Sequence, residues 1–232
     1  MSNHPLPKPK DKCPCGSGRK YRKCCGAESV NGHGRTLVHN YALFRRAEMR
    51  MVPLGVELFE TWFADGLDYA WDLFTIGLPE QDNQDVEDTL YRMFDSWILF
   101  NCPIGASKER AEDNRPNVIH LSQIILDSTK QLKLRQDDIA FLKAGLNTTF
   151  SWYMIENVNQ SISLEVRDLF SDERMRVMEH FIPPDLMQGD CVLARVMELF
   201  NVKAFIGIYP ITLPASHAPM LLDARELVTK LV

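Results

Sequence analysis

The chain has 232 residues, 45% of them hydrophobic and 25% charged, with a formal net charge of −5. This is enough chain to bury a real core as one large domain or two small ones, and the composition is that of ordinary globular protein, which sets aside fibrous and wholly disordered classes. No apolar run approaches the ~18 residues of a membrane helix, and the second residue is Ser, which removes the simplest myristoylation signal; no membrane insertion and a cytoplasmic location are the expectation.

Residues 1–10 contain Pro5, Pro7 and Pro9 with lysines between them, a composition that predicts an extended, disordered tail. Residues 11–26 hold four of the chain's six cysteines, Cys13, Cys15, Cys24 and Cys25. Zinc takes four thiolate or imidazole ligands in a tetrahedron, and structural sites draw all of them from the protein. A disulfide framework is the competing reading. Adjacent cysteines such as Cys24 and Cys25 have Cα atoms about 3.8 Å apart, short of the roughly 4.4–6.8 Å that a bridge prefers. A Cys13 to Cys15 bridge would close a similarly strained ring. Crossed bridges between the two pairs stay geometrically open, but no cleavable apolar signal segment directs the chain to an oxidising compartment, so metal is favoured.

The residues between the cysteines fit that reading. Gly16 and Gly18 let a tight loop turn its N–H groups toward thiolates, and Ser17 helps to fix the turn. Four thiolates around a divalent cation leave a net charge of two minus, which Lys12, Arg19, Lys20, Arg22 and Lys23 surround. The same cations lower thiol pKa values and favour metallation at neutral pH.

The stretch Lys12 to Cys25, KCPCGSGRKYRKCC, resembles the SEC-C motif, a zinc-binding module of the carboxyl-terminal tail of the SecA preprotein-translocase motor and of many other bacterial proteins. The family pattern is C-x-C, eight residues, then Cys followed by Cys or His. The resemblance implies Zn2+ as cofactor and Cys13, Cys15, Cys24 and Cys25 as its ligands. It also implies docking on a protein partner such as an export chaperone or the ribosome, with Arg19, Lys20, Tyr21, Arg22 and Lys23 as the candidate partner-binding residues.

Charge is segregated along the chain. Residues 1–26 carry seven Lys or Arg against Asp11, so the remaining residues carry a formal −11. An acidic body is a poor nucleic-acid wrapper, but a basic head can touch phosphate on RNA or on a ribosome. The blander reading is that these cations neutralise the thiolates.

Residues 27–34 read as a glycine-bearing linker, residues 35–148 as a helical region, and residues 149–232 as an antiparallel β region with a C-terminal helix. Leu37, Tyr41, Phe44, Glu48 and Met51 form a helical stripe that continues after Pro53 with Val56, Phe59, Trp62 and Phe63. Val86, Leu90, Phe94, Trp97 and Ile98 predict another helix. Val118, Leu121, Ile125 and Leu132 predict a third, after a break at Arg115-Pro116-Asn117, and Ile139, Leu142 and Leu146 a fourth. The aromatics Trp62, Trp71, Phe94, Trp97 and Phe100 read as core in preference to a ligand pocket.

From Phe150 the period shortens, and strands are predicted over Ser151–Glu156, Ser161–Val166, Arg174–Phe181, Cys191–Leu199 and Lys203–Thr212. Ser171-Asp172-Glu173 and Gln188-Gly189-Asp190 are the clearest turns. Five consecutive strands suggest a meander or a small barrel, with a helix from about Ala218 to Leu231 over an open edge. The fold class is therefore α+β: a zinc knuckle, a helical layer, and a five-stranded antiparallel sheet or small barrel with a C-terminal helix. Asp168-Leu169-Phe170-Ser171-Asp172-Glu173 resembles a DL-x-x-x-E segment of uncharacterised bacterial SEC-C proteins, a resemblance that implies no activity.

Catalytic signatures are absent from the sequence. Gly16-Ser17-Gly18-Arg19-Lys20 lacks the P-loop spacing, and neither G-x-S-x-G nor H-E-x-x-H occurs. His120 and His180 read as packed or surface side chains. Asp82, Asp85, Glu87, Asp88 and Asp95 read as a solvated helix face, with charge placed well for the helix amino end. Isolated Cys102 and Cys191 read as apolar core. No catalytic residue is assigned. The expected function is a zinc-binding interaction protein, with RNA or DNA binding through the head, or an enzyme with its site in the body, as alternatives.

Overall fold

The computed structural model describes residues 33–76, 84–110, 116–159, 163–179, 186–209 and 211–231, together with Lys8, Lys10, Asp11, Lys12, Lys20 and Ile182. Helix α1 spans His33–Trp62. Its buried positions, Tyr41, Phe44, Ala47, Met51 and Phe59, recur every three or four residues and make one apolar stripe. Pro53 lies inside this helix. It removes a backbone donor that would have reached Met49, but both residues are exposed, so water can satisfy the freed carbonyl and the helix continues.

A turn through Asp65, at φ 62, reverses the chain into α2 (Gly66–Thr75). Helix α3 spans Gln84–Phe100, over the predicted stripe. A β-hairpin then intervenes, β1 (Gly105–Arg110) against β2 (Pro116–Ile119), where only a break was expected. Val118 therefore belongs to a strand, and the helix that follows, α4 (Leu121–Asp127), is short. Helix α5 (Gln136–Leu146) completes the helical layer.

The strands follow: β3 (Phe150–Asn159), β4 (Ser163–Asp168), β5 (Arg174–Met178), β6 (Cys191–Leu199) and β7 (Val202–Ile208). They form one antiparallel sheet in the order β5-β4-β3-β6-β7. The first three are a meander. The fourth crosses over to pair with β3, so the order departs from that of a simple five-strand meander. The β6–β7 turn is the two residues Phe200 and Asn201, both with positive φ, the geometry that matches the twist of a tight hairpin.

The sheet is buried on both faces because it curls. Tyr153, Ile155, Leu164, Val166, Val177, Ala194 and Phe205 meet in its interior. Met197, Leu199, Val202, Ala204 and Ile206 point the other way, into the main core with α1, α3, α4 and α5. The edge strands β5 and β7 lie against one another, and Lys203 Nζ reaches Glu173 Oε1 at 2.9 Å across the gap. Helix α6 (Ala218–Leu231) follows a 3-10 turn and packs Leu221 on Leu169 and Cys191, beside Trp152 and Met154. It thus covers the central strands β3 and β6, where an edge had been expected. Among the described residues no helix is long and apolar enough to cross a membrane.

Candidate functional site

The basic head is described at five positions. Lys8 N–H donates to Asp11 Oδ2 at 2.7 Å, and Asp11 N–H donates to the Lys8 carbonyl at 2.9 Å, a reciprocal turn just ahead of Lys12. Lys12 and Lys20 then form an isolated antiparallel bridge. It joins the residue immediately before Cys13 to a residue four positions before Cys24. Lys8, Lys10, Lys12 and Lys20 are exposed. The four predicted ligands Cys13, Cys15, Cys24 and Cys25 lie outside the described residues, as do Arg19, Tyr21, Arg22 and Lys23.

The described residues hold no competing centre: none of their His, Cys, Asp or Glu side chains cluster in threes as a metal would require. Cys102 and Cys191 are free and buried, each in an apolar cluster. Burial pushes the Cys102 thiol up to about 11, so at neutral pH it is protonated and a poor ligand or nucleophile. A donor set of four thiolates supplied by C-x-C and C-C pairs suits zinc in number and softness.

The other sequence candidates resolve into structural roles. Phe94 and Phe100 are buried in the main core, with Trp71 and Trp97 packed against it and Trp62 partly exposed. Trp71 stacks on Tyr91 with ring centroids 4.3 Å apart and meets Phe94 edge-on at 5.0 Å. Asp88 accepts from Gln84 Nε2 at 3.2 Å, one turn away on α3. Burial raises the Asp95 carboxyl. Asp82 and His180 lie outside the described residues, as does the Asp85 side chain. His120 caps α4, with its Nδ1 3.3 Å from the Cys102 carbonyl.

One feature escaped the sequence reading. A cavity of about 500 Å³ opens at the mouth of the curled sheet, between the start of β3, the β4–β5 turn and the β6–β7 hairpin. Tyr153, Met175 and Val196 provide apolar lining, while Asp168, Glu173, Glu198 and Lys203 supply its charge. Lys203 is already engaged, 2.9 Å from Glu173 and 3.9 Å from Glu198. Asp168 Oδ1 accepts from Ser151 Oγ at 2.8 Å and from the Phe170 and Ser171 N–H groups at 2.7 and 3.1 Å. It therefore holds the β4–β5 turn, which explains the DL-x-x-x-E segment structurally. No local sequence signal could assemble this cavity, because its walls come from three separate segments.

Behind the cavity, Arg195 is fully buried between the rings of Phe100 and Phe150, 5.2 and 4.7 Å from their centroids. Its Nη1 donates to the Thr148 carbonyl at 2.7 Å, while Nε and Nη2 have no hydrogen-bond partner. Burial draws the guanidinium down from its ordinary value, and the rings and carbonyls offset part of that cost.

With the Lys12–Lys20 bridge and the four-cysteine pattern in view, the decisive comparison is with protein families. Residues 10–27 match the family model of the SEC-C motif. The SEC-C match thus includes all four cysteines of the head and both lysines of the bridge, and it ends at the first residue of the linker, before the helical layer. The SEC-C family is a metal-binding type. No curated protein and no solved structure matches the chain, so the body stands on its own geometry.

Proposed function

We propose that the chain is a zinc-dependent interaction protein. Its SEC-C head binds one Zn2+ through Cys13, Cys15, Cys24 and Cys25 and docks on a protein partner such as an export chaperone or on the ribosome. The observation that carries the reading is the SEC-C match over residues 10–27, joined to the concentration of basic residues in the same segment. Arg19, Lys20, Tyr21, Arg22 and Lys23 sit between the two cysteine pairs, so a metal that fixes the pairs also fixes the presentation of these side chains. Thiolate ligands need a reducing compartment, and the cytoplasm is the location this reading implies.

Co-sedimentation with purified ribosomes and pull-down with an export chaperone test the docking, each compared with Cys24→Ser. The expected result is retention of the intact protein and loss of the variant. Equal retention of both would contradict zinc-dependent docking.

A second reading is RNA binding by the head, supported by the exposure of Lys8, Lys10, Lys12 and Lys20. On that reading, labelled RNA shifts with the intact protein and the shift weakens steeply with salt. A salt-insensitive shift, or none, would exclude it.

A further inference from the structure

The strand register orders the cavity at the mouth of the curled sheet from rim to floor. Glu198 pairs with Lys203 at the rim, and Val196 pairs with Phe205 two residues further in. Tyr153 packs edge-on against Phe205, with ring centroids 5.9 Å apart, and forms the floor. Exposure follows the same order: the Glu198 side chain is 58% exposed, whereas Phe205 and Tyr153 are 2% and 4% exposed. At about 500 Å³ the space lies within the range of small-molecule sites, roughly 300–1,000 Å³.

The packing of the sheet leaves one group of the floor unaccounted for. The Tyr153 hydroxyl donates to no side chain or carbonyl among the described residues, and the backbone group it meets, Val196 N–H, is itself a donor. Burial, with Asp168 and Glu173 nearby, pushes the phenol up, so its proton is held at neutral pH. Buried hydroxyls are ordinarily hydrogen-bonded. A ligand that displaces solvent from this floor has to bring an acceptor, or the hydroxyl is left unpaired at a cost.

The rim selects the charge of the other end of that ligand. Asp168 is consumed by the β4–β5 turn, and Lys203 closes on Glu173 at 2.9 Å while standing 3.9 Å from Glu198. Glu198 therefore keeps acceptor capacity, and an entering anion would meet three carboxylates against one committed lysine. Arg195 does not reverse this, because it lies on the other face of β6 from Val196 and turns Nη1 to the Thr148 carbonyl. Two strand residues separate the levels of Val196 and Glu198, a rise of about 7 Å. We propose that the cavity binds a small linear aliphatic amine whose far end carries a carbonyl or hydroxyl oxygen. The oxygen accepts from Tyr153, the methylenes lie on Met175 and Val196, and the ammonium meets Glu198 at the rim. This site is independent of the head and its metal.

Chemical-shift titration of the full, isotope-labelled chain tests it with three probes of similar length. δ-Aminovaleramide has both ends, pentylamine lacks the carbonyl, and valeramide lacks the ammonium. The expected result is saturable shifts in β3, the β4–β5 turn and the β6–β7 hairpin, with δ-aminovaleramide bound about fivefold more tightly than either control. Tyr153→Phe removes the advantage over pentylamine and leaves that over valeramide, and Glu198→Gln does the reverse. Glu198 stands on the exposed rim, so its substitution reads the site even where loss of the Tyr153 hydroxyl disturbs the packing on Phe205. Absence of saturable shifts at the cavity, equal binding of the three probes, or preferences unchanged in Glu198→Gln would each overturn the proposal.

Discussion

Arg45 Nη2 donates to Glu179 Oε2 at 2.6 Å, joining the middle of α1 to the residue that follows β5. The same guanidinium donates to Glu48 Oε2 at 2.6 Å, to the Phe205 carbonyl at 2.9 Å and to the Tyr41 hydroxyl at 2.9 Å. One side chain therefore ties the helical layer to both edges of the curled sheet. The Glu179 side chain is only 9% exposed, so loss of Arg45 leaves a poorly hydrated carboxylate beside Glu48. Arg45→Met is expected to lower unfolding free energy by about 2–4 kcal/mol. Glu179→Gln, which keeps hydrogen bonds, is expected to cost about 1–2 kcal/mol. Urea denaturation compares the two, and an Arg45→Met variant as stable as the parent would refute the role.

Gly145, near the end of α5, is a second point of close packing. A Cβ built there would overlap the ring of Phe100, at the end of α3. Gly145→Ala is expected to destabilise the protein by about 1–3 kcal/mol through overpacking. Phe100→Leu in that background should recover part of the loss. Thermal melts of the three variants check this, and additive losses would show that the two positions do not compete for space.

These packing positions also show which parts of the architecture local sequence could announce. The stripe Tyr41, Phe44 and Met51 marked α1 because helical period and burial coincide there. Cys191–Leu199 was legible as a strand because both of its faces are apolar, which follows from the curl of the sheet. The β1–β2 hairpin was missed because Gly105–Arg110, GASKER, is polar and carries no alternation. The crossover that sets β6 beside β3 depends on pairings far apart in the chain, which no window of residues reveals. The head is the reverse case: the spacing of its cysteines alone made the SEC-C motif over residues 10–27 legible. The cavity at the sheet mouth had no such signature, since Tyr153, Glu173, Glu198 and Lys203 converge only on folding.

Burial of Cys102 has a pH consequence. Its thiol is shifted from 9.0 to about 11 in the folded protein, so between those values the folded state holds the proton that the unfolded state has released. The stabilising contribution is therefore complete below about pH 9 and lost as pH rises toward 11, by up to about 2 kcal/mol. Cys102→Ala should flatten this decline relative to the parent. Parallel stability curves for parent and variant from pH 8 to 11 would contradict it.

Thiol reactivity distinguishes the two classes of cysteine among the six. Fast labelling at pH 8 by a thiol reagent is expected for none of them in the zinc-loaded protein and for the four head cysteines after chelation. Cys102 and Cys191, buried and free, should react only on unfolding. Rapid labelling of Cys102 or Cys191 in the folded, chelated protein would contradict their core placement.

The central claim is that the SEC-C head is a zinc site, and metal content measured by elemental analysis on the purified full chain tests it most directly. The account predicts one zinc per chain, lost in Cys24→Ser with the body still folded by circular dichroism. A metal-free protein with two disulfides among Cys13, Cys15, Cys24 and Cys25, or a Cys24→Ser variant that keeps its zinc, would contradict it.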